Sequence, residues 1–187
     1  MRPDVIYMRF KHICLLSLAA CAQGFASTPS AAVSAIPAWF EELPGGGYSA
    51  RGTEGHLVLG GTQAKLAFRT GTAAGDVERM SWILLDANHK AQPQGGALRT
   101  ATSDYFVGND RRQWRQGAAH YGEVRVPRAY PGIDVVWYAS GKLLEYDFVV
   151  APGADPKPIR FQLKGANPRL NRDGDLEYDL GRVKVRQ

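Results

Sequence analysis

The sequence predicts an all-β fold, a single antiparallel β-sandwich domain behind an N-terminal signal peptide. Three observations predict it. Short apolar runs recur at intervals of about ten residues, separated by Gly, Pro, Asn or Asp. The 187 residues include 21 Gly and 11 Pro, which penalise helix interiors. No segment sustains the 3.6-residue apolar period of an amphipathic helix. With 44% hydrophobic and 22% charged residues, the chain has the composition of a packed domain rather than a disordered one.

Residues 1–26 read as the signal peptide. Arg9, Lys11 and His12 flank the apolar run Ile13–Ala20. At helical rise that run spans about 12 Å against a hydrocarbon core of ~30 Å, so it suits a cleaved leader and not a membrane span. Met1 and Met8 both qualify as the start. Two processing sites compete. Leu18-Ala19-Ala20-Cys21 has the form of a lipobox, which ends the leader at residue 20 and places a lipid on Cys21. Gly24-Phe25-Ala26 has the small-x-small form of ordinary cleavage after residue 26. Cys14 leaves with either leader. The mature domain is therefore expected to hold no disulfide, no Cys nucleophile and no Cys-based zinc site. The formal charge of +5 also falls, because Arg2, Arg9 and Lys11 leave against one acid, Asp4. So mild a balance argues against a nucleic-acid partner.

Residues 27–37 are rich in Ser, Ala and Pro and read as a flexible tether. The sandwich domain occupies 38–187. Pro37 is expected to open a short helical turn through Trp39–Leu43, ended by Pro44 and Gly45–Gly47. Strands are expected at His56–Leu59 and Ala64–Arg69 around the turn Gly60-Gly61, then at Arg79–Leu85, Tyr121–Val126 and Ile133–Tyr138. Leu143–Val150 shows the clearest period of two. Leu144, Tyr146, Phe148 and Val150 share one face, and Leu143, Glu145, Asp147 and Val149 share a wetter one. Ile159–Leu163 repeats the alternation. Short strands follow near Arg169-Leu170, at Leu176–Leu180 and at Val183–Val185, with Asp173-Gly174 between the first two.

Candidate chemistry is sparse. Glu145 and Asp147 lie two residues apart on one face, with Cβ atoms about 6–7 Å apart from the ~3.3 Å strand rise. Glycoside hydrolysis uses comparable separations, but its carboxyl groups flank a bond from opposite sides and these two point the same way. Pairing with Lys or Arg across the sheet is the better reading. Asn171-x-Asp173-Gly174-Asp175 has acidic spacing, yet Glu177 stands too near to be a distal calcium ligand, and Asp-Gly favours a hairpin turn. Asn109–Arg115 combines three Arg with Trp114. The favoured reading is a surface loop pinned by Trp114 against the sandwich. The alternative is a binding surface of Arg112, Trp114 and Arg115 together with Tyr130. His56, His89 and His120 lack metal-ligand spacing. No nucleophile elbow, phosphate loop or dinucleotide fingerprint occurs. No catalytic residue, metal or cofactor is expected.

Four motifs occur in order. They are Tyr105-Phe106-x-Gly108-Asn109-Asp110 with Trp114, Tyr130-Pro131-Gly132-Ile133-Asp134, Leu144-Glu145-Tyr146-Asp147-Phe148, and Pro152-Gly153-Ala154-Asp155-Pro156. The stretch from Asp104 to Leu163 closely resembles an uncharacterised domain of bacterial cell-surface and secreted proteins that often precedes seven-bladed β-propeller (SBBP) repeats. The likeness extends more weakly from about Gly47 to the C-terminus. Trp39–Pro44 replaces the Phe-Glu-x-Asn-x-Gly-like opening usual in that family. The chain also stops at Val183–Gln187, where family members continue through another strand, so the domain is read as truncated with an open sheet edge. The resemblance implies location and architecture and carries no catalytic residues.

The expected function is that of an exported, non-enzymatic structural or adhesive module. It would sit in the periplasm, on the outer membrane or outside the cell, with an envelope protein or glycan as partner and the membrane reached through Cys21 if the lipobox is used. The alternative is a carbohydrate-active or glycan-binding domain using a sandwich face, with Glu145, Asp147 or Asp134 as its acids.

Overall fold

A computed structural model describes residues 6–17, 39–51, 55–71, 75–140, 143–170, 172, 176–180 and 183–186, giving only the backbone course of 6–17, 140, 143, 176 and 183–186. In chain order its strands are β1 (Ile6–Ser17), β2 (Phe40–Glu42), β3 (Tyr48–Arg51), β4 (Gly55–Leu59), β5 (Gln63–Arg69), β6 (Val77–Leu84) and β7 (Gln94–Tyr105). There follow β8 (Arg115–Tyr130), β9 (Ile133–Ser140), β10 (Leu143–Val150), β11 (Phe161–Lys164), β12 (Asn167–Leu170), β13 (Leu176–Asp179) and β14 (Val183–Arg186). The strands pair antiparallel along one path, β11-β6-β5-β4-β3-β2-β8-β9-β10-β1-β14-β13-β12, with β7 added to β8.

The all-β, antiparallel expectation holds, and β8 turns one path into two layers. β8 pairs with β2 at His120 and Tyr121 and with β9 from Glu123 onward, while β7 runs along its other edge. One strand thus serves both halves of the sheet, as at the corner of a folded sheet. The halves face each other. Trp82 of β6 meets Trp137 of β9 edge-on at 5.1 Å and Tyr146 of β10 at 5.0 Å.

Alternation along the strands fills the space between these halves. Ala64, Leu66 and Phe68 on β5, Ile133, Val135 and Trp137 on β9, and Leu144, Tyr146, Phe148 and Val150 on β10 are all buried. β10 has the expected bounds. Elsewhere the structure corrects the expectations. Trp39–Leu43 contains a strand, β2, because its backbone groups pair with both β3 and β8. β7 was not expected at all. Most of its side chains are exposed, so it lacks the alternation by which a half-buried strand is read. β8 runs well past Tyr121–Val126 in both directions. The wetter face of β10 is not uniformly wet, since Asp147 is buried. Part of the expected leader, Ile6–Ser17, takes a strand's course between β10 and β14. Cys21, both cleavage sites and the tether lie outside the described residues.

The second family-like motif builds the turn between β8 and β9. Pro131-Gly132 closes it, with Tyr130 opposite Ile133. Gly132 has a φ of 70°, and a Cβ there would meet the Ala154 Cβ at 2.7 Å, in the turn that also holds Gly153. Asp134 braces the adjoining bulge. Its Oδ1 accepts from the Arg128 N–H at 2.6 Å, and its Oδ2 pairs with Arg125 Nε at 3.0 Å. Tyr130 is a core residue, not part of a binding surface. Its hydroxyl lies 2.8 Å from the Leu85 carbonyl and 3.0 Å from the Arg160 carbonyl, tying β8 to the ends of two other segments.

Candidate functional site

The expected basic loop is largely self-contained. Asp110 caps the single 3-10 turn Arg111–Gln113 by accepting from the Arg112 N–H, and it also takes the Arg112 guanidinium on both oxygens. Those bonds, first from the Arg112 side chain, lower the Asp110 pKa. Trp114 is half-buried. Its Nε1–H donates to the Gly108 carbonyl at 3.2 Å, Phe106 meets its edge at 5.1 Å, and the Arg111 guanidinium lies 5.3 Å from its ring. Trp114 therefore packs within its own loop rather than against the sandwich core. Asn109 is exposed beside it. Of the expected surface residues, only Arg115 reaches the cavity described below.

Glu145 and Asp147 do share a face, and between them stands a tyrosine. Tyr138 lies opposite Glu145 in the register, and its hydroxyl donates to Asp147 Oδ2 at 3.1 Å. The Tyr138 pKa is raised, first by burial and then by its bond to Glu145 and the charge of Asp147. The pair is spent on holding one phenol rather than on flanking a bond. Asp147 Oδ1 is buried without a hydrogen-bond partner. Asn171 and Asp173–Asp175 lie outside the described residues. The strands on either side pair as a hairpin, with Leu170 opposite Leu176. Among the described residues, no group of three or more His, Cys, Asp and Glu side chains is placed to hold a metal ion.

The cavity with converging polar groups lies elsewhere, on the face of β3, β2, β8 and β7 turned away from the core. Strand registers assemble it. Phe40, Tyr48 and Ala50 point inward, so Glu41, Ser49 and Arg51 point to the other face. Glu41 stands opposite both Ser49 on β3 and His120 on β8. Ser103 and Tyr105, two residues apart on β7, complete the row. Trp39, Leu43, Pro44, Val107 and Arg115 line the rest of a cavity of about 380 Å³.

Three side chains of its floor, Glu41, Ser103 and Tyr105, form a polar cluster with the buried His120. Tyr105 donates to Glu41 Oε2 at 2.6 Å. His120 Nε2 lies 3.3 Å from Glu41 Oε1 and 2.7 Å from Ser103 Oγ. Glu41 and His120 are buried, and Trp39 stacks on the imidazole at 4.8 Å with a 12° interplanar angle. Burial, followed by the bond to Glu41, raises the Tyr105 pKa, while Ser103 and Arg51 pull it down.

This geometry decides what the cluster does. In a serine–histidine–acid relay the serine and the acid sit on different imidazole nitrogens. Here both approach Nε2. Where Nε2 carries the ring proton it faces both Glu41 Oε1 and the Ser103 oxygen, and where Nδ1 carries it Nε2 accepts from the Ser103 hydroxyl. Ser103 and Glu41 therefore do not sit on opposite nitrogens of the ring as the members of such a relay do. The cluster is a rigid, satisfied floor for a cavity.

Sequence reasoning did not single out Glu41 or Ser103 and weighed His120 only as a metal ligand, because each is ordinary in its own segment. Their only common signal is placement on alternate positions of neighbouring strands, which becomes visible once the registers are known.

A family model described as a domain of unknown function (DUF7948) matches residues 44–187. No curated protein and no solved structure matches the chain. Arg51, Ser103, Tyr105, Arg115 and His120 fall within the matched span, whereas Trp39 and Glu41 precede it.

Proposed function

The chain belongs to the DUF7948 family of domains of unknown function, and on that premise we propose that it is an exported, non-enzymatic binding module of the bacterial cell envelope. The observation that carries the non-enzymatic part is the meeting of Ser103 and Glu41 on one nitrogen of His120, which departs from the two-nitrogen arrangement of a serine–histidine–acid relay. The envelope part rests on the leader-like sequence of residues 1–26, whose processing would remove β1 from the sheet, on the tether at 27–37 and on the resemblance to domains that precede SBBP repeats. Its partner is an envelope glycan or protein, and Cys21 is the lipid carrier where the lipobox is used.

Two measurements test this reading on the full chain. Fractionation of a bacterial host should recover the protein processed and outside the cytoplasm. Palmitate should label it, and the label should vanish in Cys21→Ala. An unprocessed cytoplasmic protein overturns export, and an unlabelled wild type removes the anchor.

A further inference from the structure

We infer that the cavity floored by Glu41 and rimmed by Arg51 and Arg115 is a subsite for an acidic sugar, a uronate unit whose carboxylate pairs with Arg51. The inference deepens the binding reading above and rests on it. Three features of the cavity converge on this ligand class.

The first is size and lining. About 380 Å³ lies within the range of small-ligand sites, and Trp39, Leu43, Pro44 and Val107 supply apolar wall for the carbon face of a sugar ring. The second is the floor. A carboxylate offers about four acceptor positions, of which Tyr105 engages one on Glu41 Oε2, while His120 Nε2 lies 3.3 Å from Oε1. The remaining capacity, with the Ser49 hydroxyl, suits the donors and acceptors of a polyol. The floor is already hydrogen-bonded within itself, so it need not reorganise to receive a guest.

The third feature is the rim. Arg115 is anchored, with Nη2 donating to the Glu42 carbonyl at 2.6 Å, and it keeps further N–H groups. Arg51 is exposed at the mouth and forms no ion pair among the described residues. An arginine fork matches a planar carboxylate with two parallel hydrogen bonds. The lining carries two guanidiniums against the one carboxylate of Glu41, so a neutral sugar would leave a net positive charge at the mouth. A small carboxylate alone would leave the Glu41 floor and the apolar wall unused. A uronate uses all three.

The test is calorimetric titration of the full chain with trimers of galacturonate, glucuronate and mannuronate, each beside its methyl ester. Esterification removes the charge and keeps the sugar. At least one free acid should bind saturably, and its ester should bind about tenfold or more weakly. Arg51→Gln should lower affinity for the acid by about the same factor and leave the ester unchanged. Arg169→Gln, remote from the cavity, should change neither. Equal binding of acid and ester, binding indifferent to Arg51→Gln, or no binding of any acid overturns the inference alone. Release of new reducing ends from the trimers would instead overturn the non-enzymatic reading.

Discussion

Two buried clusters of this domain make opposite use of burial. Between the sheet halves, Trp82, Trp137, Tyr146 and Phe148 pack ring against ring with centroids about 5–6 Å apart. On the far face of the sheet, Glu41, His120, Ser103 and Tyr105 are held by hydrogen bonds and open on a cavity. The aromatic cluster gains from removing apolar area from water. The polar cluster gains little from burial and would lose much if one member were left unpaired. The difference teaches that the first cluster fixes the fold while the second is a pre-arranged surface.

The largest expected effect falls on the aromatic side. Trp137 is almost fully buried and touches Trp82 and Tyr146. Trp137→Ala should cost about 3–5 kcal/mol, read as a lower urea midpoint. Cavity binding by the molecules that remain folded should be unchanged. A variant that keeps its urea midpoint but loses binding would erase the distinction between the clusters.

A smaller effect is expected on the polar side. Glu41→Ala removes the acceptor of Tyr105 and the partner of His120. Tyr105 is only half-buried and can turn to water, so the expected cost is about 1–3 kcal/mol. Binding at the cavity should nevertheless be lost. A cost equal to that of Trp137→Ala would mean that the polar row is structural, like the aromatic one.

Tyr146 and Phe148 of the aromatic cluster were legible in the sequence and the polar cluster was not. Leu144, Tyr146, Phe148 and Val150 announce a buried face by alternation within one strand, which needs no knowledge of pairing. The motif Tyr130–Asp134 was visible as turn punctuation, though not the use of Asp134 to brace a bulge or of Tyr130 to hold two carbonyls. Glu41 looked like part of a helical turn because Pro37 before it and Gly45–Gly47 after it are helix-boundary residues. Only its pairing with β3 and β8 makes it a central strand residue facing His120. β7, which brings Ser103 and Tyr105, shows no alternation because most of its side chains are exposed. Sites built across strands depend on register, and register is a long-range property.

The smallest expected effect links the two sides of Arg51. His56 stands opposite Arg51 in the β3–β4 register. Its pKa is lowered from 6.5, first by burial and then by the Arg51 charge, and its Nε2 is buried without a hydrogen-bond partner. A lowered pKa means that the folded chain resists a proton the unfolded chain accepts. Stability is therefore unaffected by His56 above about pH 6.5 and declines as the pH falls below it. Arg51→Gln removes the second cause but not the first. The His56 pKa, followed by NMR of its ring protons, should rise part of the way toward 6.5, and the acid-side loss of stability should soften. A uronate carboxylate seated on Arg51 should shift His56 in the same direction by screening the same charge. His56 thus serves as a reporter of the cavity mouth. A His56 titration indifferent both to Arg51→Gln and to saturating uronate would mean that the Arg51 charge is dissipated in solvent, and would remove the electrostatic ground for distinguishing the rim of the polar cluster from ordinary surface.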